Sequence, residues 1–310
     1  MPLSRRALLG AAAVALTGCA ASPVITGTPA AAPSPTLPTQ SAEAAEAAAA
    51  VSRLAATLGG LTSLAAWTEQ PWATAAAAQA AAHLARLTVP EPLAEPEGQD
   101  PFETPAVAEA PPADLAAAEA QLASAIEDAA QALEGAAGTA DDPELRLLYA
   151  SARAATSGLR NRSVAPVASD SQPRPLQDTT LAASLPIALG HAWALIYGLG
   201  VGLGRLGRDD PLREAGTSRL TGARELRNSL RDALGDDAPV QPAAFELPTT
   251  MDSPETIRAG WAELELSLLD ALGRLVAADP GQEWRARFSE QASAPQIFGG
   301  AVNYWPGWVA

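Results

Sequence analysis

Six stretches of this chain place apolar residues at intervals of three and four, the repeat of one face of an α-helix. The first two are Val51, Leu54, Leu58, Leu61, Ala65 and Trp72, Ala76, Ala80, Leu84, Leu87. Leu115, Leu122, Ile126, Ala129, Leu133 and Leu145, Leu148, Ala152, Ala155, Leu159 follow. The last two are Leu220, Ala223, Leu226, Leu230, Leu234 and Ile257, Trp261, Leu264, Leu268, Leu272, Leu275. Runs of valine, isoleucine and threonine, the signal of strands, are nearly absent. Apolar residues make up 48% of the chain but aromatics only 5%, and alanine dominates. Alanine has the best helix propensity and little bulk, which suits closely packed helices. The expected fold class is all-α.

Proline marks where the helices begin. "DDPE" at Asp141–Glu144, "DDPL" at Asp209–Leu212, "DSPE" at Asp252–Glu255 and "DPGQ" at Asp279–Gln282 each set a capping side chain before a proline. The cap accepts an orphan amide, and proline at the first helical position lacks the amide that would go unsatisfied there. Periodicity and caps together predict helices over 42–67, 72–88, 113–135, 143–162, 179–206, 210–234, 253–278 and 280–294. Between the second and third lies Pro90–Pro112, with six acids, seven prolines and no base, read as an extended surface loop. The stretch 163–178, containing "SVAPVASDSQPRP", reads as a linker. The expectation is two tandem helical bundles, 42–162 and 179–310, which a chain of 310 residues can accommodate.

Charge narrows the function. The net charge is −15, which repels nucleic-acid phosphates, so no nucleic-acid partner is expected. The acid is uneven: nineteen acidic side chains face seven arginines over residues 20–178, and sixteen face eleven over 179–310. All twenty cationic side chains are arginine. With no lysine there is no P-loop lysine, no Ser-x-x-Lys nucleophile and no Schiff-base amine.

The N-terminus carries an address. Arg5 and Arg6 form a basic region before the apolar run Ala7–Leu16, which is too short to span a bilayer. "LTGC" at Leu16–Cys19 resembles the lipobox of bacterial lipoproteins, whose cysteine is acylated and becomes the mature N-terminus. That resemblance implies a signal peptide over 1–18, lipidation at Cys19, the only cysteine, and a location on the outer face of the cytoplasmic membrane. "SRRALL" at Ser4–Leu9 also resembles a twin-arginine export signal, although two arginines equally suit general secretion. Residues 19–41, rich in Ala, Ser, Thr and Pro, read as a flexible stalk.

Residues 181–204 are uncharged and long enough to cross a membrane. Five glycines, at 190, 198, 200, 202 and 204, lower the hydrophobicity, no arginine cluster precedes the segment, and Arg205 and Arg208 after it are offset by Asp209 and Asp210. The preferred reading is a helix inside a bundle, where glycines four apart let neighbours approach closely.

"LGHAWALIYGLG", followed by "RNSLRDALGDDAP" and "AAFELP", resembles an actinobacterial ferritin-like lipoprotein family, over about residues 179–300. The resemblance implies that 179–310 is a ferritin-like four-helix bundle with an aromatic C-terminal tail; it implies no iron. Gly190 stands where the family has Glu before its His, and the family's basic patch is diluted to Arg227–Arg231. The residues themselves also speak against a metal. A di-iron bundle needs two Glu-x-x-His motifs, and Ala80 and Ala188 occupy the positions three before His83 and His191. "GLGVGLG" misses the dinucleotide fingerprint, since residue 203 is leucine and no strand precedes it. Acid pairs such as Glu263 and Glu265 lie two apart on different helix faces and read as solvated. The residues call for no metal, no cofactor and no catalytic constellation.

Two features invite a contact. Arg224, Arg227 and Arg231 form one cationic stripe, which either pairs with the chain's own acids or meets an anionic partner or lipid headgroup. The tail "IFGGAVNYWPGWVA" carries four aromatics in eleven residues and either folds back on the bundle, lines a ligand groove or touches the membrane interface. His191, Tyr197, Arg224, Arg227, Arg231, Tyr304, Trp305 and Trp308 are the candidate ligand or partner contacts. The expected function is a membrane-anchored, non-enzymatic scaffold that binds an envelope protein or an apolar ligand. The alternative is a cofactor-dependent or redox-associated protein exported folded.

Overall fold

In the computed structural model the described residues are 39–308, without 63, 65–66, 68–70, 105–111, 113 and 177–179. Cys19, Arg5, Arg6, the signal peptide and nearly all of the stalk lie outside the described residues.

The chain is all-α. The helices are α1 (Ala42–Leu61), α2 (Pro71–Leu87), α3 (Leu115–Thr139), α4 (Pro143–Gly158), α5 (Leu181–Arg205), α6 (Leu212–Leu234), α7 (Pro254–Ala278), α8 (Gln282–Gln291) and the single turn α9 (Ala294–Ile297). No strand occurs among the described residues; one isolated bridge joins Val167 to Asn303. The proline-marked starts hold to within two residues. Asp142 Oδ1 accepts from the amides of Glu144 and Leu145 at 2.8 and 3.0 Å. Asp210 Oδ1 accepts from Leu212 at 2.9 Å. Ser253 and Thr256 form a reciprocal capping box ahead of α7. Asp279 caps one residue early, accepting from Gly281 at 2.7 Å, so α8 begins at Gln282 rather than 280.

The long helices lie side by side in the order α2, α1, α3, α4, α7, α5, α6, with α8 against α4 and α7. Residues 39–310 form one compact unit, and one hydrophobic core runs through it. The helices before and after 163–178 therefore pack as one unit. The two helix groups share the α4–α7 seam, and 163–178, expected as a linker, is tied down where Val167 exchanges backbone hydrogen bonds with Val302 and Tyr304.

Glycine explains the tightest contact. A Cβ on Gly198 would clash with Leu264, one on Gly202 would come within 2.6 Å of Trp261, and one on Gly216 of α6 within 2.5 Å of the same indole. The missing side chains let α5, α6 and α7 close around Trp261, whose Nε1 donates to the Gly198 carbonyl at 3.0 Å. Gly190, Gly200 and Gly204 meet no neighbour within 4 Å and face outward. By length and composition α5 could cross a membrane, and less than half of its most apolar window is buried.

Candidate functional site

The C-terminal tail is the point at which the fold converges. Gly299 and Gly307 hold positive φ values of 79° and 87°, which glycine adopts without a Cβ clash. Between them the chain runs across α2, α4 and α7. His83 Nε2 donates to the Tyr304 carbonyl at 2.8 Å, and the His83 ring packs against Trp305 at 4.6 Å, tilted by 53°. Because a carbonyl only accepts, the proton sits on Nε2. Ser151 Oγ donates to the Pro306 carbonyl at 2.7 Å, and the Gly307 amide donates to Asp270 Oδ1 at 2.9 Å. Gly307 lies so close to α7 that a Cβ on Gly273 would be 2.6 Å from its Cα. Burial pushes His83 down to about 4, partly offset by its bond to Tyr304, so the ring is neutral at pH 7. Burial raises Asp270, and the Gly307 amide opposes that shift.

One turn before His83 sits Gln79, 1% exposed, and neither atom of its amide has a partner among the described residues. Trp72 Nε1, seven residues earlier on the same helix, is also unpartnered, as are Trp67 Nε1, Thr156 Oγ1, Ser169 Oγ and Trp308 Nε1. Trp67 and Trp72 pack at 5.8 Å, with the Arg162 guanidinium 5.2 Å over the Trp67 ring. A buried amide with no partner is costly, and ordered water or a polar ligand group relieves it.

A second buried polar cluster is complete. Glu265, whose side chain is 0% exposed, receives Arg219 Nε and Nη2, both at 2.8 Å. Gln291 Nε2 donates to Glu265 Oε2 at 2.6 Å, and Arg219 Nη2 donates to Gln291 Oε1 at 3.2 Å. The cluster pins α6, α7 and α8 together. Glu265 was expected to be solvated and is not; only Glu263 is exposed. Other arginines close helix ends. Arg146 donates to Ala277 O at 3.0 Å at the end of α7, and Arg213 to Leu203 O and Leu206 O at 2.8 and 3.0 Å at the end of α5.

The candidate residues from the sequence fall into two places. Trp305 and Trp308 are buried in the tail and Tyr304 is half-buried beside them, so the tail folds back on the core. His191 is half-buried on α5, its pKa lowered by burial and then by Arg274. Tyr197 is half-buried against Phe245 at 5.8 Å. Arg224 and Arg231 are exposed and Arg227 half-buried, donating to Asn228 Oδ1 at 2.8 Å. Among the described residues none of these three arginines forms an ion pair, so pairing with the chain's own acids does not explain the stripe. Sequence reasoning missed Gln79, Asp270 and Glu265; the signal for the first was the recurrence of Gln79, His83 and Arg86 at four and three residues on an alanine helix.

Of the grooves lined by described residues, two are larger than the one between α1 and α3. One of about 590 Å³ runs along α7, floored by Ala259, Ala262, Leu266 and Phe298 and rimmed by Arg258 and Glu263. The other, about 580 Å³, is lined by Ser157, Asn161, Ser289, Ser293 and Gln296 at the meeting of α4, α8 and α9. Among the described residues no group of three or more His, Cys, Asp or Glu is placed to hold a metal ion. No known family model, curated protein or solved structure matches this chain.

Proposed function

We propose that this chain is a lipid-anchored helical protein of the cell envelope, held at Cys19 on the outer face of the cytoplasmic membrane, whose work is binding rather than bond chemistry. The observation that carries the second part is what the buried ionisable groups do. His83 holds Tyr304, Asp270 holds Gly307, Glu265 holds Arg219 and Gln291, and Arg146 closes α7. Each joins one segment of the chain to another, and among the described residues none of them lines the groove along α7, the groove between α1 and α3 or the groove at α4, α8 and α9. The lipobox-like "LTGC" and the arginines Arg5 and Arg6 support the first part. Within this reading, residues 179–310 are a ferritin-like bundle that keeps the helical frame without its ligands. The short motifs on α5 and α6, and the glycine-tight α5–α7 pair, support that descent.

One observation favours a second reading. The unpartnered amide of Gln79 and indole of Trp72 suit a small polar ligand beneath the tail, as a cofactor-dependent protein exported folded would need. Native mass spectrometry of the chain, gently extracted from its own envelope, separates the two. The first reading expects a chain starting at an acylated Cys19 and carrying no stoichiometric small molecule. An unprocessed N-terminus would sink the anchor, and a stoichiometric cofactor or metal mass would sink the binding scaffold.

A further inference from the structure

The outer side of α5 has a rim whose charge is opposite to that of the protein as a whole. From Leu181 to Gly204 the helix is uncharged. Its N-terminal half exposes Ala182, Ala183 and Ile187, the last 43% exposed, and leaves His191 and Ala194 half-buried. Residues 183, 187, 191 and 194 share one flank at helical spacing.

The rim of this face is basic. On α6, Arg213 touches the last carbonyls of α5, and positions 213, 220, 224, 227 and 231 recur at seven, four, three and four residues. The arginine stripe therefore continues along the flank of α6 that faces α5. The two helices are antiparallel, so with 1.5 Å per residue on each, Arg227 and Arg231 stand level with about residues 191 and 187. On the other side, Gly198 and Gly202 of α5 meet Leu264 and Trp261 of α7, which runs antiparallel too. That register brings the exposed Arg274 level with about residue 188, close enough to act on His191. The acids of α6 point elsewhere. Glu225 and Asp232 each follow an arginine of the stripe by one position, about 100° round the helix, and Asp236 and Asp237 lie beyond its end.

We propose that this face, Ala183 to Ala194 of α5 ringed by Arg227, Arg231 and Arg274, docks on an anionic phospholipid surface. Charge complementarity selects that occupant. In a protein of net charge −15, these guanidiniums sit around an uncharged helix face, and among the described residues none of them forms an ion pair with a carboxylate. A second copy is a poorer occupant, because pairing α5 with α5 brings two arginine rims together. The inference rests on the lipid-anchored reading for its biological setting, since a tether at Cys19 raises the local concentration of so weak a surface. The interaction itself does not need the acyl chain.

The test uses the full chain with Cys19→Ser, which removes the only native thiol, and with Ile187→Cys carrying an environment-sensitive fluorophore. A matched chain carries the label at Val240, 92% exposed in the loop after α6. Vesicles of phosphatidylcholine alone are compared with vesicles about half phosphatidylglycerol, at low and at high salt. Docking moves the 187 label to shorter wavelength on anionic vesicles only, leaves the 240 label unmoved and fades with salt. Replacing both Arg227 and Arg231 by Glu weakens the apparent partition by about thirtyfold or more, at roughly fivefold per lost arginine before any repulsion. A 187 label that stays in water, or that responds equally to neutral vesicles, overturns the proposal. A shift that depends on protein concentration without vesicles overturns it in favour of self-association. Failure of the anchor reading would appear separately, as an unacylated Cys19 in the native chain, and would leave this result standing.

Discussion

The molecule buries two polar clusters and treats them differently. Around Glu265 every strong donor and acceptor has found its match: two guanidinium nitrogens, a carboxylate and a glutamine amide bind one another across three helices. Around Gln79 the backbone of the tail is held by His83, yet the amide beside it and the indole of Trp72 have no partner among the described residues. A complete network fixes one arrangement of its helices, and removing any member leaves the others stranded at a cost. An incomplete one is a place where the protein has kept polar groups it does not need for its own cohesion. The first cluster belongs to the architecture, and the second leaves polar atoms beneath the tail that the architecture does not use.

The largest effect should come from breaking the complete cluster. Glu265→Ala leaves Arg219 and Gln291 facing each other with no anion, and the expected loss is about 4 kcal/mol, read from urea unfolding. A loss below about 1 kcal/mol would mean that solvent already screens the pair. Next is the response to acid. His83 titrates near 6.5 when unfolded and near 4 when folded. Between those values the unfolded chain holds the extra proton, so stability is full above pH 6.5 and falls as the pH drops towards 4, by about 3 kcal/mol over the window. Asp270, raised in the fold, works in the opposite direction above the carboxylate range, because its folded form holds a proton longer. His83→Gln should remove the histidine slope in thermal melts taken across that window. A variant with the same slope would show that another group sets it. Gln291→Ala should cost about 2 kcal/mol by the same unfolding measurement, because Glu265 Oε2 keeps Arg219 but loses its 2.6 Å amide.

These clusters also divide what could be read in the sequence from what could not. Helix boundaries were local and legible: Asp142 and Ser253 cap where their prolines said they would, and the glycines at 198 and 202 mark a tight helix contact. The polar partnerships were not. Arg219 and Glu265 are 46 residues apart, and His83 and Tyr304 are 221 apart. A lone acid on a helix reads as solvated until the helix opposite is known. The tie that holds the 163–178 stretch was hidden for the same reason. Proline and serine mark it as irregular, and only the fold reveals that irregular backbone pinned at Val167 against the tail. The unpaired arginines at 224, 227 and 231 were visible as a stripe, while the α5 face they border needed the antiparallel register to appear.

The smallest effect decides the most. Gln79→Met keeps the length and bulk of the side chain but removes the amide. If the seam holds nothing, the substitution removes a desolvated polar group with no partner, and stability should rise by about 1 kcal/mol. If the amide binds ordered water or a small polar ligand, the same change strands that guest, and stability should fall by a similar amount. The two outcomes have opposite signs, so a modest shift suffices to separate them. Repeating the melt on chain purified from its own envelope and on chain refolded from denaturant separates the two guests. Water returns on refolding, whereas a captured ligand does not. A fall seen only in the envelope-derived protein would therefore identify the seam as a ligand site, and a rise in both would return Gln79 to the list of residues the fold merely tolerates.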